Sequence, residues 1–367
     1  MKTEIEDKTL QKIRALMRCI PNVPVILLAV LFFAFSGCQM GAQVQDGVMQ
    51  DAPVTLMWPP PPELPRIEYL YDISKPDDVG WSPSFFEKTV AFFAGHHKNR
   101  MMVRPYGIII GPDEVLCVAD PGARIVHKFY LKKKAYKKIT EFSKQELVSP
   151  IGVALDTRGS LYVSDSALRR IFVYDRKGKS VRKIGSDALL QRPTGIAIDP
   201  SSGRLYVVDT LAHAIKVFSL DGSFLFSMGK RGDGEGAFNY PTALTLDKDG
   251  NIYVNDSLNF RVQIFKPDGT FSGLFGKHGD GTGEFSNPKG VALDSEGHIY
   301  VTDAIFDRVQ VFDTAGDLLL TFGEAGQAPG QFWIPTALYI DSTDRIFIAD
   351  SYNKRVQAFK FLSGEGR

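Results

Sequence analysis

Cysteine is scarce in this chain: Cys19, Cys38 and Cys117 are the only three among 367 residues. The first two fall in or beside an N-terminal leader, so no disulfide is expected and stability must come from a packed core. A charge excess is missing too. Lys and Arg number 43 against 42 Asp and Glu, and the leader holds five of the former and three of the latter. Without a basic surplus on an exported chain, nucleic acid is not an expected partner. The apolar run at 23–35 has 13 residues, short of the roughly 20 that a membrane-spanning helix needs. Ser-His-Asp elbows, His-Glu-x-x-His and Cys-x-x-Cys-His haem motifs are also lacking, so no catalytic residue, metal ligand or cofactor is assigned. His127, His213, His278 and His298 stand at different repeat phases, so symmetry does not bring them together. His96 and His97 are adjacent, which puts them on different sides of a helix.

What the chain has is repetition. Within 287–333, the runs GVALD, HIYVTD, RVQVFD and DLLLTFG are β-prone and bounded by Gly, Asp, Ser or Pro. The joints SEGH and TAGD supply the residues that tight hairpins use. Asp303 closes the second run, and Asp120, Asp165, Asp209, Asp256 and Asp350 close its equivalents. In chain order the six are separated by 45, 44, 47, 47 and 47 residues. A second series, Pro105, Pro150, Pro193, Pro241, Pro288 and Pro335, opens each innermost strand and is followed two residues later by Gly or Ala. Four strands per unit at this period mean an all-β, six-bladed propeller of four-stranded antiparallel blades over 104–362.

The wording of the repeats, VNDSLNFRVQIFKPDG and IADSYNKRVQAFKF, resembles NHL repeats. The resemblance covers 104–361. Blade one departs from it, with Pro121-Gly122 after its Asp, and blade three has Ala214 where Arg170, Arg261, Arg308 and Arg355 stand elsewhere. It implies a propeller used mostly for binding and no single chemistry.

The leader at 1–37 runs from basic to apolar to small residues, as a secretory signal does. Ser36-Gly37-Cys38 resembles a bacterial lipobox, which implies lipidation at Cys38, and Gln39 in place of Asp implies the outer membrane. Simple cleavage near Cys38 is the alternative, and a start at Met17 would give a more usual signal length. Residues 38–65, with WPPPPELP, read as a polyproline II spacer or a docking motif for a proline-binding partner. Residues 66–73 alternate as a strand does. Because blade six has only three strands of its own, this one is expected to close the ring. An amphipathic helix is expected over 82–95, as a cap on the propeller or a partner-binding element.

The repeated aspartates are assigned to turns, since a residue needed once per blade solves a local problem. The Gly-rich stretches at 229–241 and 276–288 lack the strand–loop–helix setting of a phosphate loop and read as blade connections. Cys117 reads as a small buried hydrophobe. Lys132, Lys133, Lys134, Lys137 and Lys138 read as a solvated hairpin, or as a contact for anionic headgroups if turned to a membrane. What varies between copies carries the function. The loops after each Asp and the Pro junctions should share one rim, bearing Leu211, Leu258, Ile305 and Trp333. On that rim Asn239, Tyr240, Asn259, Phe260, Phe306, Asp307, Tyr352 and Asn353 are the candidate partner surface. The expectation is a monomeric, lipid-anchored propeller of the bacterial outer membrane, facing periplasm or cell surface, that binds or scaffolds an envelope protein. The alternative is a metal-dependent lyase or lactonase, with ligands supplied by loops because the inner strands offer only Thr245 mid-strand.

Overall fold

The computed structural model describes residues 56–82 and 101–363. Cys38, the leader and the helix expected over 82–95, apart from Ser82, lie outside the described residues.

The regular elements of the described residues are strands apart from four single-turn 3-10 helices, as a six-bladed propeller requires. Blade one is Ile108–Gly111, Val115–Asp120, Ile125–Tyr130 and Ala135–Ile139. Blades two to five open at Pro150, Pro193, Pro241 and Pro288, and each is a four-stranded antiparallel meander. Blade six takes Pro335–Ile340, Arg345–Asp350 and Arg355–Phe361 from the C-terminal end. Its next strand is Ile67–Ile73, paired antiparallel to Arg355–Phe361 from Ile67↔Phe361 to Ile73↔Val356.

Beyond Ile67–Ile73 the sheet gains a short fifth strand, Met57–Trp58. Trp58 packs its ring against Phe322 and Phe359 at 5.9 Å, and Arg66 N–H donates to the Trp58 carbonyl. The spacer read over 38–65 is therefore corrected at its end. From Leu56 onward the chain folds back on blade six, where the partly buried Trp58 indole packs on the apolar core between blades five and six.

Each second strand is sandwiched between neighbouring blades, so both of its faces are apolar. In Leu161–Asp165, Leu161 and Val163 join the core shared with blade one, while Tyr162 joins the core shared with blade three. Six apolar clusters fill the six clefts between blades. At the axis the inner strands come too close for side chains. A Cβ on Gly107 would stand 2.2 Å from the Ile151 carbonyl oxygen, and one on Gly152 2.3 Å from that of Thr194. This crowding is why a small residue recurs two positions after each opening proline.

Candidate functional site

The loops after the strand-ending aspartates and the proline junctions form one rim, joined by backbone hydrogen bonds such as Leu258 N–H to the Asn239 carbonyl and Tyr352 N–H to that of Trp333. All six aspartates are fully buried. Asp303 accepts from the amides of Ser286, Asn287, Ile305 and Phe306 at 2.7–3.3 Å. Asp256 accepts from Asn239 N–H at 2.6 Å, Asn259 Nδ2 at 2.8 Å, Arg261 Nε at 2.9 Å and Gln263 Nε2 at 3.0 Å. Asp350 has the same set: Trp333 N–H, Asn353, Arg355 and Gln357. Each carboxylate thus ties its own blade to the junction that opens it, and in blades four to six four donors meet it, whereas Asp209 of blade three accepts two.

The hydroxyl that follows three of these aspartates joins blade to blade. Ser166, Thr210 and Ser257 donate to the carbonyls of Pro193, Pro241 and Pro288 in the next blade, at 2.5–2.8 Å. The arginine five positions on is not uniform. Arg170 pairs with Asp187 instead, and Arg308 lies over the Phe306 ring at 4.5 Å. Blade one uses a residue that repeat reasoning passed over. His127 stands seven positions after Asp120, where blades four to six have Gln263, Gln310 and Gln357, and its Nε2 lies 3.2 Å from Asp120. Burial alone would raise the Asp120 carboxyl. Hydrogen bonds from His127 and from the amides of Val103 and Ala123 outweigh it and hold the group below the usual range.

The eight candidate surface residues share the rim but differ in what they do there. Asn239, Asn259 and Asn353 spend their amides on the carbonyls of Leu258, Gly232 and Gly326. Tyr240 packs edge-on to His213, Phe260 lies 4.2 Å from the His278 ring, and Asp307 accepts from Ile334 N–H. Burial pushes the Asp307 carboxyl up. Phe306 supports Arg308, and Tyr352 packs against Trp333 with the rings tilted and 5.5 Å apart while 41% exposed. Fuller exposure falls two positions after each aspartate of blades three to six, at Leu211, Leu258, Ile305 and Tyr352, and at Trp333. Ile305 is 60% exposed. Blades one and two have Gly122 and Ala167 at that position, so the apolar residues form a crescent over four blades.

Elsewhere the Gly-rich connections turn around a buried ring. Phe238, Phe285 and Phe332 are wholly buried, each against the glycine nine residues before it. Cys117 is buried, which pushes its thiol up to about 11. The five lysines of the blade-one hairpin are all exposed. Along the axis, the inner strands line a channel cavity of about 400 Å³, walled by residues such as Ile109, Val153, Leu244 and Leu338. Among the described residues no three His, Cys, Asp or Glu are grouped so as to hold a metal.

Comparison with known proteins follows the same lines. Models of the NHL repeat match residues 190–218 and 332–359, and a model described as a 6-bladed beta-propeller matches 248–309. The chain carries NHL repeats on a six-bladed propeller. Peptidylglycine alpha-amidating monooxygenase of Rattus norvegicus is 30% identical over 111 residues, which is 26% of this chain and 11% of that protein. The chain therefore corresponds to about a tenth of that relative's length. Among solved structures, virginiamycin B lyase from Staphylococcus aureus superposes at a TM-score of 0.54 with 13% identity, covering 80% of this chain and 99% of its own. A gluconolactonase from Xanthomonas campestris gives 0.55 with 17% identity, over 71% and 87% of the two chains. At such identities these structures share the fold with this NHL propeller, and no chemistry passes across.

Proposed function

We propose that this propeller is a binding module, anchored in a bacterial envelope through a lipid on Cys38, that holds a partner protein on its Asp-loop rim. The observation that carries the reading is the apolar crescent of Leu211, Leu258, Ile305, Trp333 and Tyr352. Large apolar side chains clustered on one rim and surrounded by polar groups suit a protein interface. The buried, hydrogen-bonded aspartates beneath it favour a rigid platform over a reactive site. Support for the anchor comes from Ser36-Gly37-Cys38 behind the apolar run, and the absent Asp at position 39 favours the outer membrane.

The test places a photo-crosslinking residue at Ile305 in the full-length chain in cells of its source. It is repeated with Leu258, Ile305 and Trp333 changed to serine and the probe moved to Tyr352. A discrete adduct that the triple substitution abolishes, with Tm unchanged, supports the reading. Adduct formation unaffected by the substitutions overturns it. Intact mass of the purified chain, with Cys38→Ala as control, tests the lipid separately.

A further inference from the structure

We propose that the outer edge of blades one and two is a docking face for an anionic membrane surface, with lipid phosphates received by lysines of both blades. Charge is unevenly spread along this nearly neutral chain. Residues 128–183 hold 15 Lys and Arg against five Asp and Glu, whereas the whole chain has 43 against 42. Blade one brings Lys132, Lys133 and Lys134 in the turn between its last two strands, and Lys137 and Lys138 in the outer strand Ala135–Ile139. Blade two brings Arg176, Lys177 and Lys179 in the corresponding turn, before its outer strand Ser180–Ile184. All of these basic residues are exposed.

The two blades join at this edge. Arg176 pairs with Asp113 of blade one, Lys128 Nζ donates to the Arg176 carbonyl at 3.4 Å, and Ser143 N–H donates to Ser180 Oγ at 3.0 Å. Lys183 lies over the Phe142 ring and donates to Gln145 Oε1 at 2.7 Å. Between them is a cavity of about 430 Å³ lined by Lys138, Ser143, Lys144, Lys179 and Ser180, with Glu141 as the one carboxylate in its wall. Three ammonium groups against one carboxylate, with hydroxyls beside them, make a positive cradle of the kind a phosphate head takes. Few protein anions answer these lysines. Among the described residues no ion pair involves Lys132, Lys133, Lys134, Lys144, Lys177 or Lys179. Asp156, Asp165 and Asp175, three of the five acids in 128–183, accept from backbone amides.

Strand pairing sets the direction of this face. The blade-one turn follows Tyr130, which pairs with Val115 at the end of the blade opposite Asp120. In blade two Tyr174 pairs with Leu161, again at the end opposite Asp165. The basic turns therefore stand away from the Asp-loop rim, and a membrane against them leaves Ile305 and Trp333 open. Val181, 50% exposed between Ser180 and Arg182, adds an apolar contact within the basic edge. The choice of a membrane over another polyanion rests on the anchored reading above. The 18 residues from Cys38 to Leu56 span at most about 65 Å. They lead to blade six, which adjoins blade one through the Arg345–Glu114 ion pair.

The test uses residues 39–367, which hold every blade and the closing strand but carry no lipid. They are co-sedimented with phosphatidylcholine vesicles made with and without phosphatidylglycerol. Binding should require phosphatidylglycerol and fall away at about 0.5 M salt, where surface attraction is screened. Each basic side chain near such a surface strengthens binding about fivefold. Lys132→Gln, Lys133→Gln and Lys134→Gln together should therefore weaken it about a hundredfold, and Lys177→Gln with Lys179→Gln about twenty-fivefold. Lys248→Gln with Lys266→Gln removes two charges from exposed positions of blade four and should leave binding nearly unchanged. Tm checks that every variant is folded. No binding to phosphatidylglycerol vesicles, or equal weakening by the blade-four pair, overturns the proposal. So does equal binding to soluble polyglutamate, which points to an acidic protein. Binding of inorganic phosphate without vesicle binding also overturns it and points to a free phosphate ligand. Because this chain carries no lipid, failure here leaves the anchor on Cys38 to its own mass measurement.

Discussion

Asp256→Ala is the sharpest test of how the blades are held. The substitution removes a carboxylate that accepts from the Asn239 amide, Asn259 Nδ2, Arg261 Nε and Gln263 Nε2, of which Asn259 and Gln263 keep the Gly232 and Ala237 carbonyls. Arg261 is the serious loss, because its guanidinium is 10% exposed and Asp256 is its only ion-pair partner among the described residues. Breaking a buried ion pair from one side costs about 3–5 kcal/mol, and an orphaned buried amide adds about 1–3 kcal/mol. Two carbonyls of the adjoining loop, Gly234 and Ala237, still accept from Arg261 and reduce the penalty. A loss of about 4–5 kcal/mol follows. Asp209→Ala is the internal control. Among the described residues Asp209 accepts only from the Gln191 and Arg192 amides, at 2.9 and 2.7 Å, and blade three has Ala214 where blade four has Arg261. Its removal should cost about 2 kcal/mol. Urea unfolding followed by tryptophan fluorescence, with equal m-values required, measures both. Equal losses would refute the view that the arginine makes blade four's aspartate the more deeply committed one.

Three further outcomes are expected. Gly152→Ala should lower stability by about 2–3 kcal/mol, since the new methyl meets the Thr194 carbonyl oxygen at 2.3 Å. A calorimetric loss under about 1 kcal/mol would mean the inner strands can spread. Ile73→Ala, at a site 1% exposed in the strand beside Arg355–Phe361, should cost about 2–4 kcal/mol, and deleting 66–73 should destabilise every blade together. An unchanged melting curve for the deletion would show that ring closure does not depend on that strand. The third concerns pH. The folded Asp120 carboxyl lies below its ordinary value of about 4, so its stabilisation is complete above that pH and is lost as pH falls through the depressed value. His127→Phe removes one cause of the depression. The stability gap between wild type and this variant should therefore narrow from pH 6 towards pH 3, and a gap that stays constant would contradict it.

The repeat, and with it the fold, is written in the amino-acid order. Blade number, strand order and the turn-side place of the aspartates all follow from periodicity, because each blade is a local meander whose hairpins and alternation are written within about 47 consecutive residues. The small residue after each proline was visible as a pattern too, though its cause, backbone meeting backbone at the axis, was not. Two things came only with the packed fold. It folded the end of the proline-rich stretch onto blade six, where Trp58 finds Phe322 and Phe359. It sorted the rim, committing Asn259 and Asn353 to carbonyls and Phe260 to His278, while leaving Ile305 and Trp333 outside. Trp58 lies outside the repeat and far along the chain from Phe322 and Phe359, so periodicity cannot pair them. Only the docking of Met57–Trp58 and Ile67–Ile73 beside Arg355–Phe361 makes them neighbours.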